Sequence, residues 1–264
     1  MFKILVLQRI YNLSDDQTKF QINDRISFIR FPGMDVHDRV PVAKTIWAFH
    51  DTLTKTDVIR RQYDAFNKWF ADAHLITHAG TIVDATFVDA QCQRSTREEN
   101  ACIKNGCVPA EWKSEENIHK LRQKDTDARW TKKGNETHYG YKNHVKADAD
   151  SKLVKDYIVT SANVHDSRAL PKFVDESDNV LYADSAYSGK ELQESLPETA
   201  ECRIHEKGYR NHPLTEEQLA SNNEKSKVRV RIEHIFGYMT MSLHGVIVRS
   251  MGLRGQRSTL GSQT

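Results

Sequence analysis

Apolar residues recur at helical spacing through residues 1–75, and nothing there alternates strongly enough to read as a strand. Ser14 is placed to cap a segment that carries Ile22, Ile26 and Ile29 on one stripe and Phe20, Phe28 and Phe31 on another. Two stripes predict one helix buried on more than one side, stopped by Pro32-Gly33. Helical spacing resumes over residues 42–53, and Thr56-Asp57 opens another helix with Ile59, Tyr63, Phe66, Trp69 and Phe70 at three- and four-residue steps. Some two to four packed helices are implied.

The texture changes at His78-Ala79-Gly80. Residues 81–88 are short and rich in β-branched side chains, which predicts a strand. Residues 91–137 are polar with little apolar periodicity, and are expected to form an insertion or long loop. Strand texture returns in 139–145 and 153–164 around a turn at Asp148-Ala149-Asp150-Ser151, an antiparallel hairpin. Asp166-Ser167 can cap a helix over 170–174, and 179–183 form a fourth strand ending at Asp184. Ser188 opens a helix over 190–196, and a fifth strand falls near 200–204. Thr215, with Glu217 and Gln218 in capping-box reach, begins a long helix that carries Glu233 and Phe236. This order of elements predicts an α/β (α+β) fold, a mixed sheet flanked by helices.

Composition adjusts this picture only slightly. A chain of 264 residues can bury one large domain, or a core domain with a smaller companion. No apolar run approaches the roughly 18 residues of a membrane span, and the first apolar residues are too soon followed by Gln8 and Arg9 to form a secretory signal. A cytoplasmic protein is expected. Cys92, Cys102, Cys107 and Cys202 show no Cys-x-x-Cys spacing, so free thiols are expected rather than zinc or disulfides. The net charge of +2 hides an uneven distribution: residues 225–264 hold Lys225, Lys227, Arg229, Arg231, Arg249, Arg254 and Arg257 against the single acid Glu233. Such an excess suits a polyanion such as DNA, or a solvated basic tail.

The candidate chemistry lies in three acids on three elements: Asp84 in the first strand, Asp184 at the end of the fourth, and Glu233 on the last helix. Magnesium prefers carboxylates and water, and a pair of such ions ~3.5–4 Å apart can activate an attacking oxygen and stabilise a leaving one in phosphodiester chemistry. By themselves three such acids are weak evidence in a chain of this length. Their surroundings are more specific. IVDATFVDA (82–90), GYKNH (140–144), NVHDS (163–167), YADSAY (182–187) and RVRIEHIFG (229–237) occur in the order of the motifs of bacterial insertion-sequence transposases. The chain resembles most closely the group named after insertion sequence five. The likeness extends to YNLSD (11–15) and Arg30-Phe31.

That resemblance implies a ribonuclease H-like catalytic domain in which Asp84, Asp184 and Glu233 bind two Mg2+ or Mn2+ ions. Asp89 competes with Asp84, but five residues along a strand it faces the other side. Arg229, one helical turn before Glu233, can grip a DNA phosphate or simply pair with Glu233. Lys142 and His144 share a strand face and, with His165-Asp166, are candidates for phosphate contact or proton transfer; a polar exposed face and a helix cap are the plainer readings. Arg231 is a further candidate for DNA. Tyr187 belongs to the motif but also reads as core. Trp130, Lys132 and Lys133 combine an aromatic with cations, as in a base-stacking site or an anchored surface loop.

The implied activity is cleavage at the ends of a mobile element followed by strand transfer, with terminal inverted repeats and target DNA as partners and a homodimer pairing two ends. Residues 1–76 are expected to form a DNA-binding helical region, incomplete at its start, and 77–245 the catalytic domain with its insertion at about 91–137. The motifs fade after RSMGL (249–253), and polar residues at 254–264 predict that 246–264 form a disordered tail where relatives carry an apolar closing helix. Thr240 stands where many relatives place a lysine. The altered C-terminus raises one alternative, a truncated, inactive remnant that only binds inverted-repeat DNA, and the same carboxylates equally suit another, a plain metal-dependent nuclease.

Overall fold

The computed structural model describes residues 1–90, 94–187, 200–209, 212–244, 247–248 and 250–263. Five helices come first: α1 (Phe2–Ile10), α2 (Asp15–Asp24), α3 (Ile26–Arg30), α4 (Ala43–Lys55) and α5 (Val58–Asp72). Ser14 caps α2 through a complete capping box with Gln17. The helix expected across residues 15–31 is broken by extended backbone at Arg25. Because the break turns the second half, the two stripes do not both pack. Ile22, Phe28 and Ile29 join Ile4, Leu7, Val40 and Ile46 in a small core, whereas Phe20, Ile26 and Phe31 are exposed. Burial on more than one side is therefore corrected to burial on one.

Among the described residues the sheet that follows has seven strands: β1 (Thr81–Ala90), β2 (Arg129–Lys133), β3 (Glu136–Asp148), β4 (Val154–Ser161), β5 (Val180–Ala183), β6 (Glu201–Ile204) and β7 (Ile247–Val248). Its central order is β4-β3-β1-β5-β6, with β3 antiparallel to β1 and β4, and β5 parallel to β1 and β6. β2 extends the outer edge of β3 beyond β4, and β7 lies along the end of β1. A long helix, α8 (Glu216–Gly237), starts at the expected Thr215–Gln218 capping box and lays Ile232 and Phe236 against Ile82, Val145 and Tyr182. The opposite face of the sheet packs Val83, Leu181 and Ala183 against Leu170, Phe173 and Tyr187. This is the mixed α/β, ribonuclease H-like arrangement that the motifs implied. Among the described residues no helix is long and apolar enough to cross a membrane.

Four local expectations are corrected. The segment after Asp166 forms two 3-10 turns, Asp166–Arg168 and Leu170–Lys172, instead of a helix over 170–174, since Pro171 has no N–H to bond back and His165 takes the capping role. The polar stretch 91–137 is not simply a loop. It carries α6 (Arg97–Lys104), capped by a Thr96–Glu99 box, α7 (Ile118–Gln123) and β2, built around the fully buried Trp112. Glu99 holds this insert together by accepting from the Trp112 indole at 2.9 Å and from Lys124. Its apolar content is too low for sequence periodicity to reveal; its stability rests on satisfied polar groups.

The third correction concerns the thiols. Cys102 and Cys107 are disulfide-bonded, because Gly106, at φ +77°, turns the chain back on the end of α6 and leaves their Cα atoms 5.2 Å apart. Cys202 is free, and Cys92 lies outside the described residues. The fourth is the tail: Gly252–Gly261 form a helix, α9, rather than a disordered segment. The carboxylates of Asp125 and Asp127 accept from the Gly252 and Leu253 amides at 2.9 Å each, which caps its start. Leu260 packs with Tyr157 and Val159, and Thr54 bonds Ser258. Small hydrogen-bonded side chains such as Ser258 and Thr259 are buried in place of an apolar stripe. The helix expected over 190–196 with its Ser188 cap lies outside the described residues.

Strand β3 approaches β1 so closely at Gly140 that an added Cβ would stand 2.2 Å from the Val88 carbonyl oxygen and 2.8 Å from the Ala90 nitrogen. Both obstacles are backbone. Gly140→Ala is expected to destabilise the domain by about 3 kcal/mol, the upper range of overpacking, read as a fall in urea midpoint. An unchanged midpoint would show that β1 and β3 can separate without cost.

Candidate active site

Parallel pairing of β1 with β5 ends at Val83↔Ala183, and that of β5 with β6 at Ala183↔Ile204. One step further along these strands stand Asp84, Asp184 and His205. Alternation puts Asp84 on the same face as Ile82, and Asp184 on the same face as Tyr182, which is the face covered by α8. The helix passes over this sheet end with Arg229 and Glu233 one turn apart.

Arg229 is the centre of the cluster. Its Nη1 lies 3.2 Å from Asp184 Oδ1, its Nε 3.9 Å from Asp84 Oδ2, and Nη1 is also 3.2 Å from His205 Nδ1. The backbone fixes both aspartates: the Ala85 amide donates to Asp84 Oδ1 at 2.8 Å, and the Ser185 amide donates to Asp184 Oδ1 at 2.7 Å. Burial pushes the Asp84 carboxyl up to about 6; the Ala85 amide and Arg229 oppose the rise, while the negative charges of Glu233 and Asp184 add to it. Glu233 itself is exposed. Among the described residues no three Asp, Glu, His or Cys side chains converge closely enough to hold a metal ion as they stand. The Arg229 guanidinium lies between the two aspartates.

The candidate DNA contacts separate into different environments. Lys142 and His144 do share a face, but they pair across from Phe87 and Ala85, so that face is the one opposite Asp84, whose partner is Val145. Lys142 donates to the Val164 carbonyl and Asp166 Oδ1, both at 2.9 Å. His144 is fully buried with Nε2 2.9 Å from Thr160 Oγ1, and burial, reinforced by Lys142 against Asp166, pulls its pKa down to about 4. It is a neutral core residue at ordinary pH. His165 is exposed and caps the first 3-10 turn by accepting from the Ser167 amide. Arg231 donates to the Ala149 carbonyl and to Asp150 Oδ1, tying α8 to the β3–β4 turn.

Trp130 is anchored rather than presented to solvent: it packs on Tyr139, donates to the Ser95 carbonyl and is covered by Arg94. Lys132 and Lys133 are exposed, and Lys133 lies over Phe87, which stacks on His138 at 4.1 Å between centroids. Asp89 faces His138 at 3.9 Å, away from Asp84. Tyr187 is buried in the core beneath β5. Thr240 caps back to the Gly237 carbonyl. His205 was not singled out by sequence reasoning; its only signal is its place one residue beyond a strand parallel to the one that ends at Asp184.

A family model described as Transposase DDE domain matches residues 76–262, and another described as Transposase domain (DUF772) matches residues 1–52. No solved structure matches the chain.

Proposed function

Because the chain belongs to the DDE transposase family, we propose that it is the DNA transposase of an insertion sequence of the group named after insertion sequence five, using Asp84, Asp184 and Glu233 to hold Mg2+ or Mn2+. The observation that carries this reading is the register of β1 and β5, which sets Asp84, within β1, beside Asp184, just past the end of β5, under α8. The donor set fits: three carboxylates are the hard oxygen ligands these cations take. When bound, the two ions lower the pKa of the attacking oxygen and offset charge on the leaving one.

The reaction is two successive displacements at phosphorus. Water attacks the phosphodiester at the element's end and frees a 3′ hydroxyl, which then attacks a target phosphodiester and releases a target 3′ oxygen. The protein's own part is positional. Asp84 and Asp184 are fixed by backbone amides, and Arg229, between them, is placed to meet a phosphate. Residues 1–76 bind the terminal inverted repeats, and two copies pair two ends in the bacterial cytoplasm, on the nucleoid. The remnant alternative rests on the altered C-terminal sequence and the late start; α9, packed on the sheet through Leu260, supports the intact reading.

The test incubates purified protein with labelled element ends and Mg2+ or Mn2+. Nicked ends carrying 3′ hydroxyls, followed by joined products, are expected. End binding without any cleavage would refute the enzyme reading, and cleavage without joining would leave a nuclease.

A further inference from the structure

We propose that Arg229 is the resident cation of the acidic site: its guanidinium occupies the space between Asp84 and Asp184, docked on His205, and a divalent ion can enter only as Arg229 leaves. This rests on the reading of the two aspartates as metal ligands.

Three contacts define the position. The guanidinium faces Asp184 at 3.2 Å, Asp84 at 3.9 Å and His205 Nδ1 at 3.2 Å. The third contact has a defined polarity. His205 Nε2 lies 3.1 Å from the Asn222 carbonyl and 3.0 Å from Ser226 Oγ, and the Ser226 hydroxyl itself donates to that carbonyl at 2.8 Å. Nε2 therefore carries the proton and donates to both, which leaves Nδ1 as the lone pair that accepts from Arg229. Asn222 and Ser226 lie on α8, two turns and one turn before Arg229 respectively, so the helix that supplies the guanidinium also orients the imidazole that receives it.

Such a docking explains two features together. Two aspartates brought side by side repel one another, and a partly buried positive charge between them offsets that repulsion. The same charge repels an incoming divalent cation from a distance of about 4 Å, and the guanidinium fills the volume the ion would take. Among the described residues no three-ligand metal cluster stands ready, which is the state expected of a site held by its own counter-ion. Displacement leaves the guanidinium in need of a new anion, and a phosphate supplies one.

The experiment measures Mn2+ binding to the full chain without DNA, by the electron paramagnetic resonance signal of free Mn2+, with melting curves as the check on folding. Arg229→Gln keeps a polar side chain and removes the charge, and is expected to tighten Mn2+ binding on the order of tenfold. Arg229→Lys keeps the charge without the fork, and should give an affinity between the two. Asp184→Asn should abolish binding in either background. Unchanged or weaker binding by Arg229→Gln, with binding still lost in Asp184→Asn, would overturn the counter-ion role and leave the ligand assignment standing. No Mn2+ binding by either the wild type or Arg229→Gln would overturn both.

Discussion

Asp184→Asn is expected to leave the protein folded and bound to element ends while lowering cleavage by roughly a thousandfold or more, the several kcal/mol that a carboxylate holding catalytic ions contributes. The structural cost should be small. The Asp184 side chain is 45% exposed and is held by one backbone amide and the Arg229 contact, both of which an asparagine oxygen can still accept. Asp84→Asn should be equally inactive and no less stable than the wild type. A carboxyl whose pKa is raised on folding opposes folding when ionised, so an uncharged isostere removes that opposition. Lost activity with retained or higher melting temperature is the pattern of a site whose charges serve chemistry at the expense of stability. Glu233→Gln belongs to the same group. Asp89→Asn, on the far face beside His138, should cut normally, and is the control that separates the two candidate acids of β1. An active Asp184→Asn, or an inactive Asp89→Asn that still folds, would remove the ligand assignment.

How much of this was legible beforehand differs from element to element. β1 and the start of α8 declare themselves because a β-branched run and a Thr-x-x-Gln capping box are local signals. Asp84 stood out as a charged residue inside an apolar run, and Asp184 as the acid closing one. The register that sets Val83 beside Ala183 is a property of two segments far apart in the chain, and no local signal carries it. For the same reason Lys142 and His144 were grouped correctly with each other but not separated from the acids. Only the pairing of Asp84 with Val145 shows that they lie on the other face. The anchoring of Trp130 and the formation of α9 have another origin. Both rest on polar partners from remote segments, Ser95 and Arg94 in one case and Asp125 and Asp127 in the other, which apolar periodicity does not count. Arg229 was read as gripping DNA or pairing with Glu233, because a helical wheel shows neighbours on its own helix and nothing of the sheet beneath.

The largest stability effect is expected at Asp178, a residue with no part in the chemistry. Its side chain is fully buried, and it accepts from Lys146 at 2.6 Å, Lys155 at 3.0 Å and Thr81 at 2.7 Å. Lys146, also buried, donates in addition to the Phe173 carbonyl and to Asp175. These bonds join β1, β3, β4 and the segment leading into β5 on the edge remote from the acids. Asp178→Ala would leave two lysines with little access to water and one carboxylate fewer, a loss of about 3–5 kcal/mol by the measure of broken buried pairs. Lys146→Met in the same background should recover part of it, since removing the uncompensated charge costs less than keeping it.

The pH dependence follows with its sign fixed. Burial works to raise the Asp178 carboxyl, but Lys146, Thr81 and Lys155 more than offset this and hold it below the ordinary range. Against the same burial, Lys146 and Ser177 bring Asp175 down to about 2, and Ser151 and Thr77 depress Asp148. A carboxyl whose pKa falls on folding contributes stability above its unfolded value, about 3.9, and loses that contribution as pH drops through the folded value. Urea midpoints of the wild type should therefore fall steeply from about pH 4 toward pH 2, and Asp178→Ala, already lacking the principal contributor, should show a shallower slope. Equal slopes in the two proteins would mean that Asp178 is not what couples the sheet to acid.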